Sequence, residues 1–125
     1  MKLTPWLKAI AVVSTLAAAV LVPAAPLKIG FAQTGAESAW RTANSESMKA
    51  EAAKRGIDLK FSDGQGKQEN QIRAIRSFIA QKVDAIVLAP LVETGWDPVL
   101  RDAKRAKIPV IITDRNGELV LVIGS

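Results

Sequence analysis

Two short stretches of the sequence combine side chains that can grip a polar ligand. In the first, Glu37, Ser38, Trp40 and Arg41 follow closely on the apolar stretch Ile29-Gly30-Phe31-Ala32. In the second, the β-branched run Val110-Ile111-Ile112 leads into Thr113, Asp114 and Arg115. A buried strand has no need of an acid and a base at its exit. The pair is therefore either plain surface or a device for holding something polar. The chemistry on offer is hydrogen bonding rather than bond-making. Carboxylates accept from hydroxyl groups and a guanidinium donates to them, and such charge-assisted bonds are about twice as strong as neutral ones. An indole adds a flat apolar plate for the C–H face of a sugar ring. These groups suit a neutral polyol.

Elements that would position these groups can be read from the hydrophobic pattern. A strand is expected at about Lys28 to Ala32, then a helix from Ser38 to Arg55, rich in Ala, Glu and Lys and stopped by Gly56. Ile57, Leu59 and Phe61 alternate with Asp58 and Lys60, which predicts a short half-buried strand. A second helix, Lys67 to Gln81, gathers Ile72, Ile75 and Ile79 on one face with Phe78 beside them. "VDAIVLA" is a continuous apolar run of strand length, as expected for a strand covered on both faces. A third helix begins near Thr94 with Pro98 in its first turn and runs to Ala106, before the strand "IPVIIT". The final "NGELVLVIGS" reads as a turn and one more strand.

Alternating strands and helices are repeated βαβ units. Right-handed crossovers then place helices on both faces of a parallel sheet, a three-layer α/β/α domain. Ligands of such sheets bind beyond the carboxyl ends of the strands, near the point where strand order reverses. The four exits are expected to share one rim. The first brings Gln33, Thr34, Gly35 and the cluster from Glu37 to Arg41. The second brings Ser62, Asp63 and Gln65, the third Pro90, Glu93 and Thr94, and the fourth Thr113, Asp114 and Arg115.

Composition narrows the field of functions. Histidine and cysteine are both absent from the 125 residues. That removes Ser/His and Cys/His catalysis, the usual zinc ligands and any disulfide framework. No cofactor is expected. "GQGKQ" fails as a phosphate loop, because Phe61 stands where a glycine is required and Gln68 where a hydroxyl is. "GFAQTG" has the wrong glycine spacing for a dinucleotide site. An isoelectric point near 9.8 raises the question of nucleic acid. No basic cluster interleaved with aromatics answers it.

The first 24 residues have the layout of a secretory signal peptide. Lys2 and Lys8 precede an uncharged run from Ala9 to Val22, and Val22-Pro23-Ala24 offers the small residues of a cleavage site before Ala25. The run has 14 residues, short of the roughly 20 that span a bilayer. Export to a periplasm is expected, leaving 15 basic and 12 acidic residues, a mild net +3.

The segments "APLKIGFAQTGAESAWR", "DGQGKQENQIRAIRSFIAQKVDAIVLAP", "TGWDPVL" and "IPVIITDR" resemble the N-terminal part of periplasmic sugar-binding proteins of ABC importers, the galactofuranose binders among them. The resemblance runs through Arg115. It implies a type I periplasmic-binding fold and a monosaccharide ligand of galactofuranose type. It also implies a permease in the inner membrane as partner, a monomeric chain, no nucleic acid and no enzymatic activity. Carried over residue by residue, it implies Glu37, Ser38, Trp40, Arg41, Asp114 and Arg115 as ligand contacts. Family members close two lobes around the sugar and are over twice as long. Residues 25–125 are therefore expected to form an incomplete N-terminal lobe, with Ala39 where the family has glycine and a last stretch unlike the family's continuation.

Plainer roles stand beside the binding ones. Asp114-Arg115 followed by Asn116-Gly117 is also a turn signal. Trp40 at the start of a helix is also suited to the core, although its place beside the first strand exit favours a ligand, and Glu37 is suited to the positive end of the helix dipole. Trp96 is expected to pack, and the charged stretch from Lys49 to Arg55 to face solvent. Two other functions fit the same architecture: the sugar-sensing domain of a repressor, which would carry a helix-turn-helix, and a flavodoxin-like enzyme, which would need a phosphate loop. A truncated copy without function is a further reading.

Overall fold

The computed structural model describes residues 25–113 and a strand at 119–122. The expected signal peptide, Asp114 and Arg115 lie outside the described residues. Elements follow in the order β1 (Lys28–Gln33), α1 (Ala39–Lys54), β2 (Asp58–Asp63), α2 (Gln68–Ala80), β3 (Ala85–Leu88), α3 (Asp97–Arg105), β4 (Val110–Thr113) and β5 (Leu119–Val122). The strands form one sheet ordered β2-β1-β3-β4-β5. β1 to β4 pair in parallel, as the βαβ rhythm requires. The last strand departs from that rhythm. β5 runs antiparallel to β4, Thr113 opposite Leu119 and Val110 opposite Val122. Only the five residues 114–118 separate the two strands, too few for the crossover that a parallel pair requires.

Local chemistry explains most element ends. Ser38, in extended backbone, caps α1 by accepting the Arg41 backbone N–H at 3.2 Å. At its other end the chain leaves α1 through Gly56, whose φ of +67° is open to glycine at no steric cost. Pro98 occupies the first turn of α3, where its missing N–H breaks no helical bond.

The order of the strands divides the helices. α1 carries the chain from β1 outward to β2. α2 then returns across β1 to β3, so it lies on the opposite face. On that face α2 and α3 pack together over the sheet. Ala74, Ile75, Phe78, Val99 and Ala103 meet Ala32, Ile86, Leu88 and Val110 there in one continuous core. Gly30 lies under Phe78: a Cβ at this position would come within 2.4 Å of two ring carbons. The α1 face is thinner. α1 buries only Ser45 and Ala52, while Lys49, Glu51, Lys54 and Arg55 are exposed as expected. Phe31 tilts against Phe61 at 5.8 Å, and the Lys49 ammonium sits 4.3 Å above the Phe61 ring.

Candidate functional site

β1 and β3 are neighbours whose connections leave in opposite directions, so a crevice must open at their carboxyl ends. A hollow of about 1000 Å³ lies there. Its walls are the first turns of α1, the loop after β3, Trp96 and the end of β4. Of the four described residues expected at a ligand, Ser38, Trp40 and Arg41 line it. Glu37 stands just behind. Its carboxylate pairs with Nε of Arg41 at 2.7 Å, one turn along the chain.

Trp40 does not join the core. It is 57% exposed on the lip of the hollow, a poor use of an indole unless something covers it. Trp96 packs, as expected, at 6% exposure, and its indole N–H donates to the Val92 carbonyl at 2.7 Å. It also forms part of the wall, a second role that the sequence reading did not assign. Pro90, Glu93, Thr94 and Thr113 reach the hollow as the topology required.

The second exit does not. Ser62, Asp63 and Gln65 line a separate open groove between the edge strand β2 and α2. β2 is outermost and β1 stands between it and the crevice, so a single rim for all four exits is corrected to one built from β1, β3 and β4. Thr34 and Gly35 are buried beneath the wall rather than part of it. Asn44 was missed. It lines the hollow because it lies three residues after Arg41 and four after Trp40, on the same face of α1. That spacing was a usable signal.

A buried glutamine supports each wall. Gln71 of α2 is inaccessible to solvent; its amide donates to the Ala89 carbonyl at 2.7 Å and its oxygen accepts the Leu91 backbone N–H at 3.0 Å. The loop after β3 is thereby tied to the core. Gln33, at the end of β1, holds the α1 wall through Asn44, Ser45 and Thr34. No buried side-chain nitrogen or oxygen among the described residues lacks a partner. Nor do the described residues contain a cluster of acids fit for a metal ion. The site offers fixed donors and acceptors beside two indoles.

Ser38→Ala removes the cap while leaving the rest of the wall intact. The expected loss is about 1 kcal/mol of stability, read as a lower urea midpoint. An unchanged midpoint would mean that α1 begins without help from this hydroxyl.

Comparison with known proteins matches residues 29–123 to the periplasmic binding protein domain family. The galactofuranose-binding protein YtfQ of Escherichia coli (strain K12) is 57% identical over 111 residues, which are 87% of this chain and 35% of that protein. A solved periplasmic component of the arabinose ABC transporter from Shewanella sp. ANA-3, bound to α- and β-L-arabinofuranose, is 70% identical with a TM-score of 0.69. The match covers 70% of this chain and 29% of that one. A Mycobacterium smegmatis structure in complex with β-D-fucofuranose is 61% identical with a TM-score of 0.69, over 70% of this chain and 29% of that one. The chain thus spans about a third of the length of these relatives.

Proposed function

Because the chain belongs to the periplasmic binding protein domain family, we propose that it supplies one wall of a furanose-binding site in the solute-binding component of an ABC importer. The observation that carries this reading is the pairing of the exposed Trp40 with the restrained Arg41 on the lip of one hollow. The indole would lie against the C–H face of the ring, and the guanidinium would donate to ring hydroxyls. Ser38 and Glu37 complete the first part of the site, one as a wall residue and one by orienting Arg41. Asp114 and Arg115, which follow Thr113 in the sequence, are proposed as further contacts by family resemblance. Sugars named for three relatives, galactofuranose, arabinofuranose and fucofuranose, share a five-membered ring. That favours the ring form more strongly than any one sugar. It also favours import over the repressor-type reading. Under this proposal the chain works in the periplasm, delivers its sugar to a membrane permease and catalyses no reaction.

One wall alone buries only part of a sugar, whereas tight small-molecule sites enclose most of the ligand. The 125-residue chain is therefore expected to bind weakly, with a dissociation constant on the order of millimolar, about 4 kcal/mol. Titration with methyl β-D-galactofuranoside, followed by amide and indole NMR shifts, checks this. Saturable shifts at the Trp40 indole and along residues 38–44 are expected, with smaller ones from methyl β-D-galactopyranoside. Equal responses to both rings, or none around the hollow, would reject the furanose reading. Micromolar affinity by calorimetry would reject the single-wall reading.

A further inference from the structure

Gln33 takes no part in the lining of the hollow, yet it is 1% exposed and all its polar atoms are engaged. Its amide nitrogen donates to Oδ1 of Asn44 at 3.0 Å and to Oγ of Ser45 at 3.1 Å. Its oxygen accepts the Thr34 backbone N–H at 3.1 Å and the Thr34 hydroxyl at 3.4 Å. The Thr34 hydroxyl in turn accepts from Nη1 of Arg41. These bonds form a directed chain: Arg41 donates to Thr34, Thr34 to Gln33, and Gln33 to Asn44.

We infer that Gln33 is a positioning residue that sets the hydrogen-bonding polarity of the site, making Asn44 a donor to the sugar and fixing which edge of Arg41 faces it. The inference rests on the furanose reading above and deepens it. An asparagine amide can turn either end toward a ligand. Here the oxygen of Asn44 is held by Gln33, so only the amide nitrogen, with two N–H groups, is left for the hollow it lines. Arg41 is treated similarly. Nε is held by Glu37 and Nη1 by Thr34, and the remaining N–H groups are left for a ligand. A glutamine at the end of β1 is well placed for this. Its neighbours Gly30 and Ala32 face α2, and alternation along the strand turns Gln33 toward α1.

Gln33→Glu is the discriminating substitution. It keeps an oxygen for Thr34 but replaces the donor that holds Asn44, so Asn44 turns its amide nitrogen inward and presents its oxygen to the sugar. Affinity for methyl β-D-galactofuranoside should fall roughly fivefold to tenfold, the effect of about one hydrogen bond made wrongly. In an Asn44→Ala background the same substitution should change affinity less than twofold. A general distortion of the wall would cost as much in both backgrounds, so equal losses would overturn the assignment, as would an unchanged affinity in the single variant. Urea unfolding monitors the fold of each variant. Should the carboxyl prevent folding, Gln33→Met, close in volume, takes its place in the cycle, and its loss should at least halve when Asn44 is absent. A wild-type chain that gives no furanoside response defeats the furanose reading, and this role with it. A wild-type response matched by every variant defeats this role alone.

Discussion

Arg41→Met is expected to remove the furanoside response of the chain while lowering its stability only modestly. The guanidinium is held in plane by two partners, the Glu37 carboxylate at Nε and the Thr34 hydroxyl at Nη1. It enters binding with its rotamer entropy already spent, and hydrogen bonds from a charged donor contribute about 1.5–3 kcal/mol each. Losing one weakens binding roughly tenfold to a hundredfold, and losing the whole fork of donors carries a millimolar affinity beyond detection. Stability should fall only modestly: Glu37 is 54% accessible, so the ion pair contributes at most about 1 kcal/mol, and the buried Thr34 hydroxyl keeps its bond to Gln33 when the guanidinium is gone. Methionine keeps the apolar stem against the wall, so the comparison isolates the fork of donors. Arg41→Lys should fail almost as badly, because an ammonium offers a point charge and no planar fork. NMR shifts in either variant equal to those of the wild type would show that the ligand takes nothing from this side chain.

Much of this arrangement was legible before any coordinates. The alternation of apolar runs with amphipathic stretches located β1 to β4 and the three helices to within a few residues, because each element must bury one face to exist at all. Ser38 and Gly56 marked the ends of α1 through the backbone conformations they favour. The crevice position followed from right-handed crossovers, which leave little freedom once the order of elements is known. What the pattern could not supply was strand order at the edge. Ser62 and Asp63 were grouped with the other exits because a linear sequence does not tell which strand ends outermost. Asn44 escaped notice for a different reason. An asparagine on a polar helix looks like surface until Gln33, eleven positions earlier, is known to hold its oxygen. Hydrogen-bond direction is a property of three-dimensional pairs, and no periodicity encodes it.

Gly30→Ala should cost about 3 kcal/mol, a large loss of stability for the addition of a single methyl group. Glycine in a strand ordinarily weakens it, so a structure that places one beneath a buried ring must gain from the close approach. An alanine Cβ at position 30 would lie 2.4 Å from two carbons of Phe78, far inside contact distance. Relief by a simple rotation is blocked. Phe78 is 4% exposed, and its neighbours Ile75 and Ile86 are fully buried. Either α2 moves away from β1 or the ring leaves its rotamer, and either change disturbs packing along the whole α2 face. The strain should be relieved by making room on the other side. Gly30→Ala combined with Phe78→Leu is expected to be more stable than the sum of the two single effects predicts, by about 1 kcal/mol or more, as contacting residues that trade volume should be. Denaturant midpoints for the four chains of that cycle decide the matter. Strict additivity would mean that position 30 and the ring do not meet, and that α2 is seated on the sheet at a greater distance than its burial implies.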